Sequence, residues 1–316
     1  MDRKRIASAF RIIILLNVIL LLFVSGCASR QPIPQQRARA IELDRKGAEH
    51  FHQGQYERAI SFFQKALQAY ESIDHREDVA LSLNNLGTVY QSTGEHLRAL
   101  DFFQRAFAIN SGIGNEEGQS LNLNHIGIVT LSLGKPQAAL EFFQKSLAIE
   151  EKKGKVQGQA IRWNNMGLAY RGLGQDNQAL DCYLRAKKIN EGIRHFPGIA
   201  DNLANLGALY ESRKDWPKAL EAFQGALEMD KKVENSRGIS TDLANLGRLY
   251  EALGEREKAL DHYLRAWRVN EYLGWKERIL QDLSKIAAIY ETLGKPEEAE
   301  KFRKRAQELA AAPKEK

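Results

Sequence analysis

Cysteine is nearly absent, with two in 316 residues. That is too few for a disulfide-stapled scaffold or a four-thiolate zinc site. Proline is scarce as well, at seven residues, so long helices are not interrupted. Net charge is small: +6 overall, of which Arg3, Lys4, Arg5 and Arg11 against Asp2 put +3 in the first 26 residues. The remaining +3 includes no basic block long enough to follow a phosphate backbone, so no nucleic-acid partner is expected. The seven histidines are scattered, and His50 and His52, two apart on a helix, diverge. No metal site, cofactor site or catalytic constellation is therefore expected, and the chain reads as a non-enzyme. What is present is 43% apolar and 27% charged residues, a balance that excludes disorder and supports a sizeable core.

The first residues read as an address. Arg3-Lys4-Arg5 is a basic head, and Ile12–Val24 is an apolar run broken only by Asn17. A spanning helix needs about 20 apolar residues, so this run is too short and fits a secretory signal. Val24-Ser25-Gly26-Cys27 follows and resembles a bacterial lipobox. The resemblance implies cleavage before Cys27, lipidation of Cys27 and a membrane anchor made of acyl chains. With Ala28-Ser29 and no aspartate after the cysteine, it also implies an outer-membrane lipoprotein facing the periplasm in a Gram-negative host. Ser29–Gln36, with Pro32 and Pro34, reads as an extended tether. The expected division is residues 1–26 leader, 27–36 lipidated cysteine and tether, and 37–316 folded array.

The rest repeats every forty residues. Gly47, Gly87, Gly127, Gly167, Gly207 and Gly247 fall in one phase, with Ala287 in the seventh place. Seven residues later come Gly54, Gly94, Gly134, Gly174, Gly254 and Gly294, with Lys214 the exception. Twelve after the first glycine an alanine recurs, from Ala59 to Ala299. The units run about 40–79, 80–119, 120–159, 160–199, 200–239, 240–279 and 280–311. In each, apolar residues at i, i+3, i+4 and i+7 mark two amphipathic helices. The second glycine sits where a helix end needs positive φ, and Lys214 is expected to share that backbone. Such units cannot bury their faces alone and must stack. The last helix carries Glu300, Arg303 and Gln307 in normally apolar places, as an uncovered end should.

LNNLGTVYQSTGEHLRALDFFQRAFAIN at 83–110 closely resembles the tetratricopeptide repeat, and the resemblance covers residues 40–311. The forty-residue period is most similar to the repeats of kinesin light chains and of the Leu-Gly-Asn-rich polarity adaptors. The implied fold is all-α, a right-handed solenoid of seven helix-turn-helix repeats. The implied function is protein binding: a scaffold holding an extended peptide along the concave face of the first helices.

Two residues before each first-helix glycine stand Arg45, Asn85, His125, Asn165, Asn205, Asn245 and Lys285. Three before it stand Asp44, Asn84, Asn124, Asn164, Ala204, Ala244 and Ser284. Asparagine is a mediocre helix former, so a ladder of it needs a reason. Two uses fit: an amide clamp for a peptide backbone, or bonds between neighbouring repeats. Toward the C-terminus Glu211, Glu251 and Glu291, with Asp201, Asp242 and Asp282 earlier in the same helices, form an acidic row. It suits a basic segment, unless Lys218, Arg248 and Lys285 already pair with it. Cys182 takes a slot elsewhere held by phenylalanine and reads as a small buried hydrophobe. Trp163 reads as core, and Trp216 and Trp275 as packing at unit junctions. The rival to a peptide adaptor is a pilotin-like or assembly lipoprotein that docks its second helices on an outer-membrane machine.

Overall fold

The computed structural model describes residues 33–311. Among these are fourteen helices and no strand: α1 (Ile33–His52), α2 (Tyr56–Ser72), α3 (Arg76–Ser92), α4 (His96–Gly112), α5 (Glu116–Ser132), α6 (Pro136–Lys152), α7 (Val156–Gly172), α8 (Asp176–Gly192), α9 (Phe196–Ser212), α10 (Trp216–Lys232), α11 (Ser236–Ala252), α12 (Arg256–Tyr272), α13 (Lys276–Thr292) and α14 (Pro296–Ala311). They are helix-turn-helix pairs of the tetratricopeptide type, odd-numbered helices first in each pair. The leader and Cys27 lie outside the described residues. No helix among the described residues is long and apolar enough to cross a membrane.

Residues 33–36 correct the expectation of a tether reaching Gln36, because α1 already begins at Ile33. Pro34 falls in its first turn, where a missing N–H costs nothing and the fixed φ suits a helix.

The helices fall into two compact units that part at Gly94-Glu95. In the first, α2 packs on both α1 and α3. In the second, every first helix from α5 on packs on its own second helix and on the one before. Successive first helices also touch, α5 with α7, α7 with α9 and α9 with α11, which puts them on the inner side of that stack.

The turns repeat at half the forty-residue period. Positive φ recurs every twenty residues from residue 54 to 294, at both the turn inside a repeat and the turn between repeats. Nine of these sites are glycine, and Asp74, Arg194, Lys214 and Glu234 fill the others, with φ of 51°, 53°, 59° and 53°. Lys214 therefore has the left-handed backbone expected of it. Its turn closes as its glycine counterparts do: the Asp215 N–H donates to the Tyr210 carbonyl at 2.9 Å, as Gln175 does to Tyr170 at 2.9 Å. This satisfies a carbonyl that the helix end would otherwise leave unpaired.

The first-helix glycine is small for a different reason. A Cβ on Gly127 would lie 2.5 Å from the Phe143 ring, and one on Gly167 would lie 2.4 Å from Tyr183. The aromatic of the second helix rests on the bare backbone of the first. Phe143, Tyr183 and Phe223 are fully buried this way, and each such ring contributes about 2–3 kcal/mol by leaving water. Trp163 packs against the core around Phe143, Trp216 against the core around Phe223, and Cys182 is buried. Burial pushes the Cys182 thiol up to about 12, so it is inert as a nucleophile. Ala299 is the one buried residue of α14.

Candidate functional site

The exposed stripe of the inner helices begins six residues before the glycine. There Leu121 on α5 and Ile161 on α7 are 41% and 43% exposed, although each helix already has a buried apolar face. The same place on the next helices holds Asp201, Thr241 and Gln281. One residue after the glycine, Ile128 and Leu168 are partly buried, and Ala208 and Arg248 follow. The stripe is thus apolar over α5 and α7 and turns polar from α9 onward. The reading of the sequence missed Leu121 and Ile161. The signal was available in the sequence: the position six before the glycine reads Ile41, Leu81, Leu121 and Ile161, where the repeat frame asks for nothing.

Between these two rows runs the amide ladder, and its members bond one another. Asn165 donates to Asn124 Oδ1 at 2.8 Å, and Asn205 to Asn164 Oδ1 at 2.9 Å. In the first compact unit Asn85 bonds Asp44 in the same register, and Asn84 is buried. The rule is that the residue two before the glycine donates to the residue three before it in the preceding repeat. Where alanine takes the accepting place, the rule lapses: Asn245 instead accepts from Arg248 at 3.3 Å, and Lys285 lies 3.7 Å from Glu251. His125 stacks on Phe103 with 4.7 Å between ring centres. Burial, then the positive field of Arg162, lowers it to about 4, so it is neutral in the ladder at neutral pH.

The acidic row is largely self-neutralised. Glu211 pairs with Arg248 at 2.8 Å, Glu251 with Lys285 at 3.7 Å and Glu291 with Arg303 at 2.5 Å. Asp242 and Asp282 do not belong to the row at all. They stand five rather than six residues before the glycine, and one residue is a 100° step around a helix. Both are buried between repeats. Asp201 alone is in the exposed stripe, and among the described residues no Lys or Arg pairs with it. Its side chain is exposed, but the surrounding helices partly desolvate the carboxyl, and this and the neighbouring Asp230 raise its pKa, with His195 offsetting the rise in part.

The register of Asp242 exposes a second polar column. At each boundary within the larger unit, a residue near the end of one second helix meets a residue twelve positions on, in the next first helix. Asn110 donates to Asn122 at 2.7 Å, Asn190 to Asn202 at 2.8 Å and Asn270 to Asp282 at 2.6 Å. Arg162 donates to Glu150 at 3.1 Å and to Ser146 Oγ at 2.8 Å. At the remaining boundary two carboxyl groups meet, Asp230 and Asp242. Asp242 is 2% exposed, and its Oδ2 finds no donor among the described residues. Burial, then the charges of Asp230 and Asp201, push it up to about 8. It is thus the protonated partner and donates to Asp230, which also accepts from Asn235 at 3.0 Å. Asn270 holds Asp282, which burial raises to about 6. Buried polar groups must be partnered, and this column meets that demand with amides, an ion pair or a shared proton.

Among the described residues no group of three His, Cys, Asp or Glu side chains could hold a metal ion. The site is a surface: an exposed stripe on helices tied together by polar bonds.

The sequence profile of the tetratricopeptide repeat matches residues 39–111, 118–191, 198–271 and 283–313. No protein with a curated description matches the chain in sequence. Several solved structures share its fold. Aspartyl phosphate phosphatase F from Bacillus subtilis superposes with a TM-score of 0.68 at 16% identity, over 93% of this chain and 75% of that one. The Rap conjugation gene regulator of the plasmid pLS20, solved in complex with the Phr* peptide, gives 0.62 at 20% identity, over 85% and 72%. Nearly identical TPR-like repeats described as kinesin light chain of Podosopora anserina give 0.51–0.52 at 16% identity, over 62–63% of this chain and 97–98% of those chains.

Proposed function

Because the chain belongs to the tetratricopeptide repeat family, we propose that it is a non-enzymatic adaptor that holds an extended segment of a partner protein along its inner helices. One observation carries this reading: Leu121 and Ile161 stand uncovered on helices whose backbone and ladder amides are already satisfied. Large apolar side chains in a row on a rigid face are the surface that a partner covers. The pLS20 regulator, of like fold, was solved with a peptide bound, which supports the same use here. The ladder amides contribute by setting the spacing of the helices, and Asn205 and Asn245, which are only half-buried, keep capacity for a ligand.

The leader and Val24-Ser25-Gly26-Cys27 support a lipid anchor on Cys27, which would hold the array at a bacterial envelope membrane, facing the periplasm in a Gram-negative host. Two acyl chains or more suffice for stable anchoring.

A second reading has its own observation. Residues 145, 185, 265 and 305 on the second helices are all basic, but the same place on α10 is Gly225. A cavity of about 430 Å³ opens there, lined by Leu184, Leu203, Tyr210 and Met229, and favours docking on the outer helices. The test is recovery of partners from host envelopes on immobilised protein. Under the adaptor reading, Leu121→Ser with Ile161→Ser loses the partner and Leu184→Ser keeps it. The opposite pattern favours outer docking.

A further inference from the structure

We infer, on the footing of the peptide-adaptor reading, that the bound segment is extended, with apolar side chains over Leu121 and Ile161 and a Lys or Arg against Asp201. These three residues hold one position on three successive first helices, α5, α7 and α9, and those helices touch in sequence. A chain laid across them passes two apolar steps and then a carboxylate. Ile128 and Leu168 continue the apolar surface across the amide ladder, so side chains on either side of an extended backbone find cover there.

Charge complementarity selects the third step. Glu211, Glu251 and Glu291 already have Arg248, Lys285 and Arg303, so a basic partner gains little from them. Asp201 has no such counter-ion among the described residues, and Asp230 stands behind it. The field at this point is negative, offset only in part by His195, and a cation arriving from a partner supplies the missing counter-charge. Beyond Asp201 the same position is Thr241 and then Gln281, so specificity is concentrated on α5, α7 and α9.

The probe is a phage-displayed library of random short peptides, panned on the whole folded chain. Wild type should enrich peptides with two apolar residues followed or preceded by Lys or Arg. Leu121→Ser with Ile161→Ser should weaken the enriched peptides by about tenfold, the effect of losing partial burial of two apolar side chains. Asp201→Lys should turn the enrichment from Lys and Arg to Glu and Asp. All three positions are exposed, and equal melting temperatures would show that the variants are folded. Enriched peptides that bind across the inner helices without an apolar or basic preference, or a selection unchanged by Asp201→Lys, would overturn this inference and leave the adaptor reading intact. Enriched peptides that ignore every inner-helix variant, or no enrichment on wild type, would overturn both.

Discussion

Asn205 donates its side-chain amide to Asn164 of the preceding repeat at 2.9 Å, and Asn202 donates to the same oxygen at 2.9 Å. One carbonyl thus serves both polar columns. The ladder here is a tie between repeats, and the tie predicts unequal effects of substitutions that look alike in sequence. Asn165→Ala removes the donor to Asn124, which is buried, and should cost about 1–3 kcal/mol. Asn245→Ala loses only a contact with exposed Arg248 and should change stability by less than about 0.5 kcal/mol. Urea titration of both variants checks this, and equal losses would contradict it.

The carboxyl pair predicts a pH dependence. In the folded chain the proton on Asp242 persists to about 8, whereas an unfolded aspartate releases it near 3.8. Between these values the folded state holds the extra proton, so stability falls as pH rises from about 4 to about 8. Asp282, raised to about 6, adds to the lower part of that slope. Asp242→Asn should flatten the slope and stabilise the chain at pH 8 by on the order of 2 kcal/mol, since an amide already fits the equivalent places at Asn122 and Asn202. Melting temperature against pH for both proteins is the measurement, and parallel curves would refute the shared proton.

Arg162 and Glu150 form the ion pair of the same column and are 5% and 9% exposed. Arg162→Ala strands the Glu150 carboxylate and should cost about 3–5 kcal/mol. Adding Glu150→Leu removes the stranded charge and should restore most of the loss. A double variant as unstable as the single one would show that packing by the Arg162 side chain, rather than charge, is what matters.

Lys214→Gly should stabilise the array by about 1 kcal/mol, because a side chain at φ 59° is strained relative to glycine. Arg194→Gly, at φ 53°, should act alike. A loss of stability in a denaturant titration would contradict the strain argument.

Much of this fold was legible because the repeat frame fixes residue identity where geometry is strict. Gly127 must stay bare beneath Phe143, so its column hardly varies. The turn at residues 74, 194 and 234 was not legible. Asp74, Arg194 and Glu234 reach the same positive φ as glycine, and nothing in their chemistry announces it. The buried boundary column was missed for a related reason. Asn110, Glu150, Asn190, Asp230 and Asn270 share polarity and burial but not identity, because each needs only a complementary partner twelve residues on. Asp201 and Asp242 read as one row until their one-residue difference in register separated a surface group from a buried one.

Cys27 offers a separate check. Cys27→Ser should abolish metabolic labelling with palmitate and leave uncut precursor in the membrane fraction. Label retained on the variant would refute the lipobox.

The adaptor account is tested most directly by site-specific photo-crosslinking in the native host. A crosslinker is placed at residue 121, 161 or 201 on the inner helices and, in parallel, at Leu184 or Glu221 beside the outer cavity. The account predicts one partner band shared by the three inner positions and absent from the outer two, with the captured residues of that partner contiguous in its sequence. Capture from the outer positions alone would contradict it.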